Sequence, residues 1–463
     1  MRIEPIAHFD QKNYIILYLY LHIGSMHEEE IIKQLREEME QLKHENKLLR
    51  DQIAKLETRL AKYENAHTPP SLRRGRKRKK EYNEGDRGKP GQKAGHKGVS
   101  RPLANPDKQV EVTADRCPDC GTELGDPVRI ESKIIEEIPE PQPIIVTEFK
   151  IAHYRCPSCH KEVAATNPDF PVEGRFGNNA IAQTTLLKYE DRLPHRKIQN
   201  ALRRLHGLNI CPATILDLTR RAADAVQPQY DAILNRIRDA PILYVDETSI
   251  DVQGKNHWIW AFTTPSETFV VIRKSRGTKV LIEVLTRRFK GIIVCDGWKP
   301  YAKFTKRLQR CWAHLLRESE DLADKIEEAV PLYEALKDLY EELTSALEND
   351  PPPEVRMELW DMARAKLNQW ITKEHTSVKV KKLVGKISNG FEYWFTFVIH
   401  PAVEPTNNRA ERALREHVVL RKIVGTLRNN KGTSIHERIM TVLATWKQQG
   451  LDTLQILRSS LVS

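Results

Sequence analysis

The stretch Pro241-Ile-Leu-Tyr-Val-Asp-Glu-Thr-Ser-Ile250 decides the fold of the second half of this chain. Its apolar residues 242–245 read as a buried β-strand, and the strand presents Asp246 at the end of this apolar run. An unpaired charge beside such a run is costly, so the pattern favours a carboxylate with a partner over a solvated one. Glu247 remains the alternative, because a shift of one residue in register would turn it, and not Asp246, to the same face of the sheet.

The residues that follow predict two more antiparallel strands, a helix and then a fourth strand. The runs 258–264 and 268–273 are rich in β-branched and aromatic residues, and a helix is expected at 278–289. Gly291-Ile-Ile-Val-Cys-Asp-Gly-Trp298 is a second buried strand, which ends in Asp296. This order is the layout of the RNase H-like α/β fold, in which the first and fourth strands lie side by side. Asp246 and Asp296 would then be close enough to share a metal ion.

Helices are predicted around this core. Residues 312–346 and 354–372 read as long helices, and the aromatic-dense run 390–400 reads as core. A late helix begins near Thr406, its predicted N-cap, and carries Glu411 in its second turn. The expected boundaries are the first part of the RNase H-like core at 233–312, a helical insertion at 313–400, and the last part of the core with the C-terminal helices at 401–463.

Carboxylates from two strands and a helix are the ligand set of a two-metal site for phosphoryl transfer. Such a site needs hard oxygen ligands around two Mg²⁺ ions about 4 Å apart, and it requires no covalent nucleophile or histidine base. Asp246, Asp296 and Glu411 satisfy this requirement. The plain alternative for each acid taken alone is a solvated or salt-bridged carboxylate.

The first half of the chain begins with a helical repeat. Apolar residues recur in unbroken heptads from Ile32 to Tyr63, with Asn46 alone at an a position, which is typical of a parallel two-stranded coiled coil. We therefore expect a coiled coil at 26–65 that makes a homodimer or a higher oligomer; the alternative is one amphipathic helix packed on its own protein. Residues 1–25 are an uncertain leader, whose apolar run is too short to span a bilayer, so no membrane partner is expected.

Positive charge is concentrated in the flexible linker 66–106. The chain has 463 residues and a formal net charge of +11, and most of that excess lies in this one arm. Such an arm contacts phosphates and adds affinity for nucleic acid that is blind to sequence; the alternatives are a solvated linker or a nuclear signal. The basic residues that carry this prediction are Arg73, Arg74, Arg76, Lys77, Arg78, Lys79 and Lys80.

Two Cys-Pro-x-Cys knuckles follow within 107–175. They supply Cys117 and Cys120, then Cys156 and Cys159, and the runs 128–138 and 143–154 between them read as the strands of a hairpin. Two knuckles joined by a hairpin predict a zinc ribbon that holds a structural Zn²⁺ with four thiolates. A redox pair is the alternative, although one dithiol would suffice for it. The seven cysteines show no disulfide-like spacing, which favours a reducing compartment.

Residues 176–232 read as helical and contain a helix-turn-helix pattern. A short helix at 195–205 and a second at 212–221 are separated by a turn at Gly207. This pattern is typical of a DNA-binding element, for which Arg196 and Arg220 are the candidate contacts. The alternative is a scaffold hairpin without a DNA role. The fold expected for the whole chain is thus a multidomain α+β protein.

The chain is similar to transposases of the insertion sequence 66 family from about Met26 onward. The resemblance rests on the heptads and knuckles above and on six short motifs, of which the last is the most specific. These motifs are Gly88-Lys-Pro-Gly-Gln92, Gly95-His-Lys-Gly98, Tyr244-Val-Asp-Glu-Thr248, Asp296-Gly-Trp-Lys-Pro-Tyr301, Cys311-Trp-Ala-His314 and Asn407-Asn-Arg-Ala-Glu-Arg412.

The resemblance implies a DDE-type catalytic core. Asp246, Asp296 and Glu411 would be its triad and would bind Mg²⁺ (or Mn²⁺). Four further residues are implied at the site: His314 and Asn408 would contact the acids, and Arg412 and Arg415 would bind the scissile phosphate.

The same resemblance implies the partners. They are double-stranded DNA, as element ends and as target, and accessory proteins encoded by the same element. The protein would act in the cytoplasm, associated with the nucleoid. A non-catalytic DNA-binding regulator and an RNase H-like nuclease are the rival hypotheses.

Overall fold

The computed structural model describes residues 28–61, 104–167 and 173–462, with the side chains of 37–53 in the first of these ranges. The chain divides into two compact units, 1–94 and 95–463, which are described separately. The leader and the basic cluster from Arg73 to Lys80 lie outside the described residues. Among the helices that are described, none combines the length and the apolar composition that a bilayer crossing requires.

The described part of the first unit is one helix, α1 (Glu28–Ala61). It spans most of the predicted heptad repeat, and the apolar residues Met39, Leu42 and Leu49 are each more than half exposed along it. Asn46 donates a hydrogen bond from Nδ2 to the carbonyl of Leu42 at 3.0 Å. A single copy of α1 therefore carries an uncovered apolar stripe.

The two knuckles lie in a segment that contains little regular structure. Its strands are β1 (His153–Arg155) and β2 (Glu162–Ala164), which pair antiparallel on either side of the second knuckle. The predicted hairpin strands at 128–138 and 143–154 were wrong, because strand pairing within these two runs is confined to the end of the second, where β1 begins. Their apolar side chains, such as Val128 and Ile130, are exposed and have no second layer to pack against, and a lone hairpin is marginal without one.

Four helices follow and confirm the predicted local pattern. The turn between the second and third contains Gly207 at φ +65°, a left-handed conformation that glycine adopts readily. Ile198 and Leu202 on one helix and Ile215 and Leu218 on the next are buried in the core, whereas Leu205, predicted on the same face, is 43% exposed. The four helices are α2 (Asn178–Tyr189), α3 (His195–His206), α4 (Pro212–Ala225) and α5 (Gln227–Asp239).

A five-stranded mixed sheet forms the centre of the second unit. Its elements are β3 (Ile242–Val252), β4 (Lys255–Thr263), β5 (Thr268–Arg273), α6 (Thr278–Leu285), β6 (Ile292–Cys295), α7 (Lys299–Phe304) and β7 (Leu308–Arg310). The strand order is β5-β4-β3-β6-β7, in which β3, β4 and β5 are antiparallel and β3, β6 and β7 are parallel. The first and fourth strands of the sheet in chain order are thus neighbours, as predicted.

The remainder of the unit is helical. The predicted helix at 312–346 is in fact two helices, because the backbone is extended at Ile326 and a short 3₁₀ turn (Glu327–Ala329) follows it. The helices are α8 (Trp312–Ala323), α9 (Val330–Leu347), α10 (Pro353–Thr372), α11 (Val378–Ser388), α12 (Thr396–Ile399), α13 (Asn408–Val424), α14 (Asn430–Gln448) and α15 (Thr453–Ser460).

Alternate residues of the central strands face two different helical layers. Leu243 and Val245 belong to the core shared with α2–α6 and with α14 and α15. Tyr244 belongs to the core shared with α8–α11, where the indoles of Trp312 and Trp394 lie 6.0 Å apart between centroids. The aromatic-dense run at 390–400 is therefore part of this core, as predicted.

The edge strand β5 is covered by side chains of α14. The backbone N–H groups of Thr268, Val270 and Ile272 donate to Thr445 Oγ1, Thr441 Oγ1 and Glu437 Oε1, at 3.1, 3.0 and 2.7 Å. Four residues of helix rise about 6 Å and two residues of strand about 6.6 Å, so acceptors spaced by four on α14 match donors spaced by two on β5. The helix thereby satisfies an edge that would otherwise be open to pairing.

Replacing Thr441 with Val is expected to destabilise the second unit by about 1–3 kcal/mol, because the buried N–H of Val270 would lose its acceptor. Urea unfolding followed by circular dichroism measures this loss. Ser434→Ala is the matched control, since it removes an exposed hydroxyl from the same helix. Equal unfolding midpoints for the two variants would contradict the role given to Thr441.

Two buried histidines connect α13 with α14. His417 Nδ1 lies 3.0 Å from His436 Nε2, and the ring of His436 makes an edge contact with Tyr189 of α2. Burial lowers the pKa of His417 to about 4 and the pKa of His436 well below its ordinary value. Nearby, Glu416 acts to raise the pKa of His417, and Lys188 acts to lower that of His436. The two imidazoles are therefore neutral near pH 7 and share one proton in their hydrogen bond.

We expect stability to fall as the pH drops from about 6.5 toward about 4. In this window the unfolded chain binds a proton at His417 that the folded chain does not, so acid favours unfolding. The full shift corresponds to about 3 kcal/mol. Unfolding midpoints measured across this range should depend less on pH in His417→Gln than in wild type. His400→Gln, at an exposed histidine, is the control, and an unchanged slope in His417→Gln would refute the assignment.

Candidate active site beside β3 and β6

Two predicted acids lie at matching positions on neighbouring parallel strands. Tyr244 of β3 is paired in register with Val294 of β6, and both side chains belong to the same core cluster. Asp246 and Asp296 each come two residues later. Because side chains alternate along a strand, Asp246 faces the same side of the sheet as Tyr244, and Asp296 follows directly after the last residue of β6. The middle of β3 and the carboxyl end of β6 thus each present a carboxylate.

The carboxylate of Asp246 is crowded by negative charge. Its Oδ1 accepts the backbone N–H of Glu247 at 2.9 Å. Burial raises the pKa of Asp246 well above its ordinary value, and the charges of Glu247, Asp296 and Glu411 raise it further. Asp246, Asp296 and Glu411 therefore lie close enough to interact, which brings the three predicted acids into one cluster (the acid cluster).

Glu411 reaches this cluster because Asn407 fixes the start of α13. The helix begins at Asn408 with Asn407 as its N-cap residue and Glu411 in the first turn, so the predictions of a Thr406 cap and a second-turn Glu411 were wrong. Asn407 is fully buried and donates from Nδ2 to the carbonyl of Val245 at 2.9 Å. Its backbone N–H donates to Cys311 Sγ at 3.1 Å. Tertiary contacts, and not a local hydroxyl cap, set this helix end.

Glu411 has a histidine and two arginines around it. His314 Nδ1 lies 3.5 Å from Glu411 Oε1. Burial raises the pKa of Glu411, while the charges of Arg317 and Arg415 act in the opposite direction. The structure thus places His314 beside the acid, as the sequence predicts, and adds Arg317, for which the sequence offered no signal. Asn408 is a correction, since its side chain is exposed and the buried asparagine is its neighbour Asn407.

Glu247 is held on the other face of β3 by two residues that the sequence did not predict. Arg276 Nε lies 2.6 Å from Glu247 Oε1, and the hydroxyl of Tyr301 donates to Glu247 Oε2. Burial and the charge of Asp296 raise the pKa of Glu247 to about 7, against the opposing effect of Arg276. Because Glu247 is engaged in this way, Asp246 is the residue that faces Glu411, and the register ambiguity is removed.

Arg276 also contacts Asp296. Its guanidinium lies 3.7 Å from Asp296 Oδ2, and it stacks between Trp258 and Trp298 at 4.9 and 4.5 Å from the ring centroids. Asp296 Oδ1 accepts the backbone N–H of Trp298 at 2.8 Å. Tyr301 and Trp298 belong to a motif that the sequence marked, whereas Arg276 carried no such mark.

The acid cluster has the donor chemistry that a divalent metal ion requires. Its ligand atoms are carboxylate oxygens, the hard donors that Mg²⁺ and Mn²⁺ prefer. Glu411 Oε1 is buried and, within the described part of the chain, accepts no hydrogen bond. Mutual repulsion and burial raise the pKa of Asp246 and of Glu411, which a bound cation would offset. The donor atoms of these residues therefore suit a metal ion. Among the described residues, the group whose ligand atoms all lie within 4.8 Å of one another is Cys311, His314 and Glu411, so the three acids would have to approach one another to share an ion.

The predicted DNA-binding arginines differ in their surroundings. Arg196 on α3 and Arg412 and Arg415 on α13 are exposed. Arg220 is a correction, because its guanidinium lies within 2.7–3.0 Å of the carboxylates of Asp217, Asp224 and Glu173. Since three acids engage this side chain, it serves the packing of α4 and is not available to phosphate as we expected.

The four knuckle cysteines form two separate pairs. Hydrogen bonding to Thr122 and to Cys117 lowers the pKa of Cys120 to about 7, and hydrogen bonding to Cys159 and Ser158 lowers that of Cys156. Both effects favour the thiolates that bind zinc. In the described ranges, however, the potential metal-ligand group of three or more side chains is Cys311, His314 and Glu411, and the knuckles do not join into one group.

Comparison with known families adds an independent finding. The family model described as Transposase IS66 family matches residues 173–435, more than half of the 463-residue chain. The chain belongs to this family. The matched residues of this IS66 family member include the whole acid cluster and the α3–α4 helix pair. The match begins after the knuckles.

Two relatives of this chain come from Sinorhizobium fredii (strain NBRC 101917 / NGR234). The uncharacterized protein y4qI is 24% identical over 61% of this chain and 58% of its own length. The uncharacterized protein y4hP is 23% identical over 73% of this chain and 68% of its own length. The chain thus spans less than two thirds of y4qI, and neither relative has a named activity.

Proposed function

We propose that this protein is a DNA transposase that binds the ends of an insertion sequence, cleaves a strand at each end and joins the freed 3′-hydroxyl to target DNA. The observation that carries the proposal is the clustering of Asp246, Asp296 and Glu411 in a chain of the IS66 transposase family. The sheet order and the adjacency of β3 and β6 support an RNase H-like core for this reaction.

In this proposal the three acids bind the metal ion, and the arginines near Glu411 bind the DNA. Mg²⁺ or Mn²⁺, when bound, would supply the positive charge that activates the attacking oxygen and stabilises the leaving one. Arg415 and Arg412 are exposed on the helix that carries Glu411, and Arg317 lies close to the same acid. They would bind the scissile phosphate by charge-assisted hydrogen bonds.

Arg276 and Tyr301 would hold the acid cluster in position through their contacts with Glu247 on the other face of β3. They hold Glu247 away from Asp246, and Arg276 also contacts Asp296, so the two catalytic acids keep their places although their charges repel. A site that is organised before substrate arrives needs less rearrangement during the reaction.

The first half of the chain would dimerise the protein and bind the DNA. The exposed apolar stripe of α1 would be buried in a parallel coiled-coil dimer or a higher assembly. The basic linker 66–106 would contact DNA phosphates. The α3–α4 pair would act as a helix-turn-helix element and place Arg196 in a DNA groove. A zinc ion would join the two knuckles into a ribbon, helped by the hydrogen bonds that lower the pKa of Cys120 and of Cys156. Accessory proteins of the same element remain further proposed partners.

A strand-transfer assay with labelled element ends and a target plasmid tests this function. We expect end cleavage and joined products with Mg²⁺ or Mn²⁺ and none with chelator, because the acid cluster alone leaves the attacking oxygen unactivated. End binding in a gel-shift assay without cleavage under any metal condition would instead indicate a regulator. Cleavage of RNA in hybrids without joining would indicate a nuclease.

A further inference from the structure

Cys311 and His314 lie on one side of Glu411 and form a second group of potential metal ligands. Cys311 precedes the first residue of α8 and His314 is its third residue, so a spacing of three places both on one face of the first turn. One ligand atom from each of Cys311, His314 and Glu411 lies within 4.8 Å of the others. Cys311 and His314 are buried, and Glu411 is partly buried.

The separations are close to those of a zinc site. Bonds of about 2.0 Å to nitrogen and oxygen and 2.3 Å to sulfur, at tetrahedral angles, place ligand atoms about 3.3–3.6 Å apart. His314 Nδ1 and Glu411 Oε1 are already 3.5 Å apart. A small contraction toward Cys311 Sγ would complete three ligands and leave a fourth position open, as in zinc sites with three protein ligands.

The donor set is also selective between metals. A thiolate and an imidazole bind Zn²⁺ and Co²⁺ well, whereas Mg²⁺ prefers oxygen ligands only. The backbone N–H of Asn407 donates to Cys311 Sγ, which helps to stabilise a thiolate. Metal ions bind the thiolate form of cysteine, so binding at Cys311 would release the thiol proton to solvent.

We propose that Cys311, His314 and Glu411 bind a zinc-class divalent cation and that this binding withdraws Glu411 from the acid cluster. Both sites would use the buried oxygen Oε1 of Glu411, so a zinc-class ion that occupies it would inhibit DNA cleavage even when Mg²⁺ is in excess. The inhibitory half of this inference rests on the proposed function. The metal-binding half does not.

Cobalt spectroscopy on the full-length protein tests the binding site. Co²⁺ bound to a thiolate gives a charge-transfer absorption in the near ultraviolet, and titrations of wild type are compared with Cys311→Ser. Both proteins keep the four knuckle cysteines, so the difference between their spectra reports Cys311. Serine retains an oxygen that can accept the N–H of Asn407, which favours folding of the variant.

We expect the thiolate band of wild type to exceed that of Cys311→Ser by the contribution of Cys311, while the knuckle cysteines contribute equally in both proteins. Glu411→Gln should keep the full band, but the part that comes from Cys311 should appear at cobalt concentrations at least about tenfold higher. Glu411→Gln also serves as the test if Cys311→Ser does not fold. Identical band intensity per protein in wild type and Cys311→Ser, or an unchanged cobalt affinity in Glu411→Gln, would overturn the proposed site.

Zinc titration of strand cleavage at fixed Mg²⁺ tests the inhibition. Each rate is expressed relative to the zinc-free rate of the same protein, and Cys311→Ser should need at least about tenfold more zinc for half inhibition. Equal sensitivity would overturn the inhibitory role. If wild type cleaves no DNA under any condition, the proposed function fails while the cobalt result still decides the site; if it cleaves but shows no cobalt difference, only the zinc-class site fails.

Discussion

Replacing Asp246 with Asn is expected to reduce strand cleavage and transfer by about a thousandfold while leaving the binding of DNA ends intact. The amide keeps the shape of the side chain but removes the negative charge, so a cation would be held by two acids instead of three. A loss of about 4 kcal/mol of transition-state stabilisation corresponds to this factor. Single-turnover cleavage of a labelled end, with gel-shift affinity measured in parallel, gives both quantities.

Asp251→Asn is the matched control for this experiment. Asp251 lies on the same strand, but its side chain is exposed and distant from the paired positions of β6. The same chemical change there should leave the cleavage rate within a few-fold of wild type. Full cleavage activity in Asp246→Asn would refute the assignment of the metal site.

Replacing Asn407 with Ala is expected to lower both stability and the rate of cleavage. The variant loses the hydrogen bond to Val245 that joins the start of α13 to β3, which should cost about 1–3 kcal/mol in the free energy of unfolding. Since Glu411 follows four residues later, a displacement of about 1 Å would lower the rate by about a hundredfold. Urea unfolding measures the first effect, and single-turnover cleavage well below the melting temperature measures the second.

Asn408→Ala separates this positioning role from a general effect of asparagine at the helix start. Asn408 is exposed, so its variant should change the free energy of unfolding by less than about 0.5 kcal/mol. If Asn407 positions Glu411, the rate at which bound DNA is cleaved falls in Asn407→Ala, while the affinity for DNA ends is unchanged. Equal cleavage rates for the two alanine variants would argue against that role.

Local patterns predicted the elements of the core well. The apolar run 242–245 and the run before Asp296 are strands, and the helices on either side of Gly207 formed as expected. Strands and helices follow from apolar residues that recur every two or about four positions, and the turn follows from glycine. Both signals lie within a short stretch of sequence. The family resemblance extended this prediction to Glu411, which no local pattern would connect with Asp246.

The wrong predictions depended on residues that are distant in the chain. Strand pairing at 128–138 needed a partner layer that this segment lacks in the structure, and Thr406 lost the helix start to Asn407, which bonds to β3 and to Cys311. Arg220 differs from these cases, because only Glu173 lies far away, at 47 residues, whereas Asp217 and Asp224 lie three and four residues from it on the same helix, where the sequence could have shown them.

The sequence by itself determined the strands and helices of the core, because burial and periodicity act over a few residues, whereas the family resemblance connected Glu411 with Asp246 and Asp296. Only the tertiary structure decided that Asp246 and not Glu247 faces Glu411. Arg276 and Tyr301 make that choice from β5–α6 and α7, and their contacts arise when the sheet and its helices pack. The same packing brings Cys311 and His314 against Glu411, since a side chain's neighbours across a core are set by the fold and not by its position in the chain.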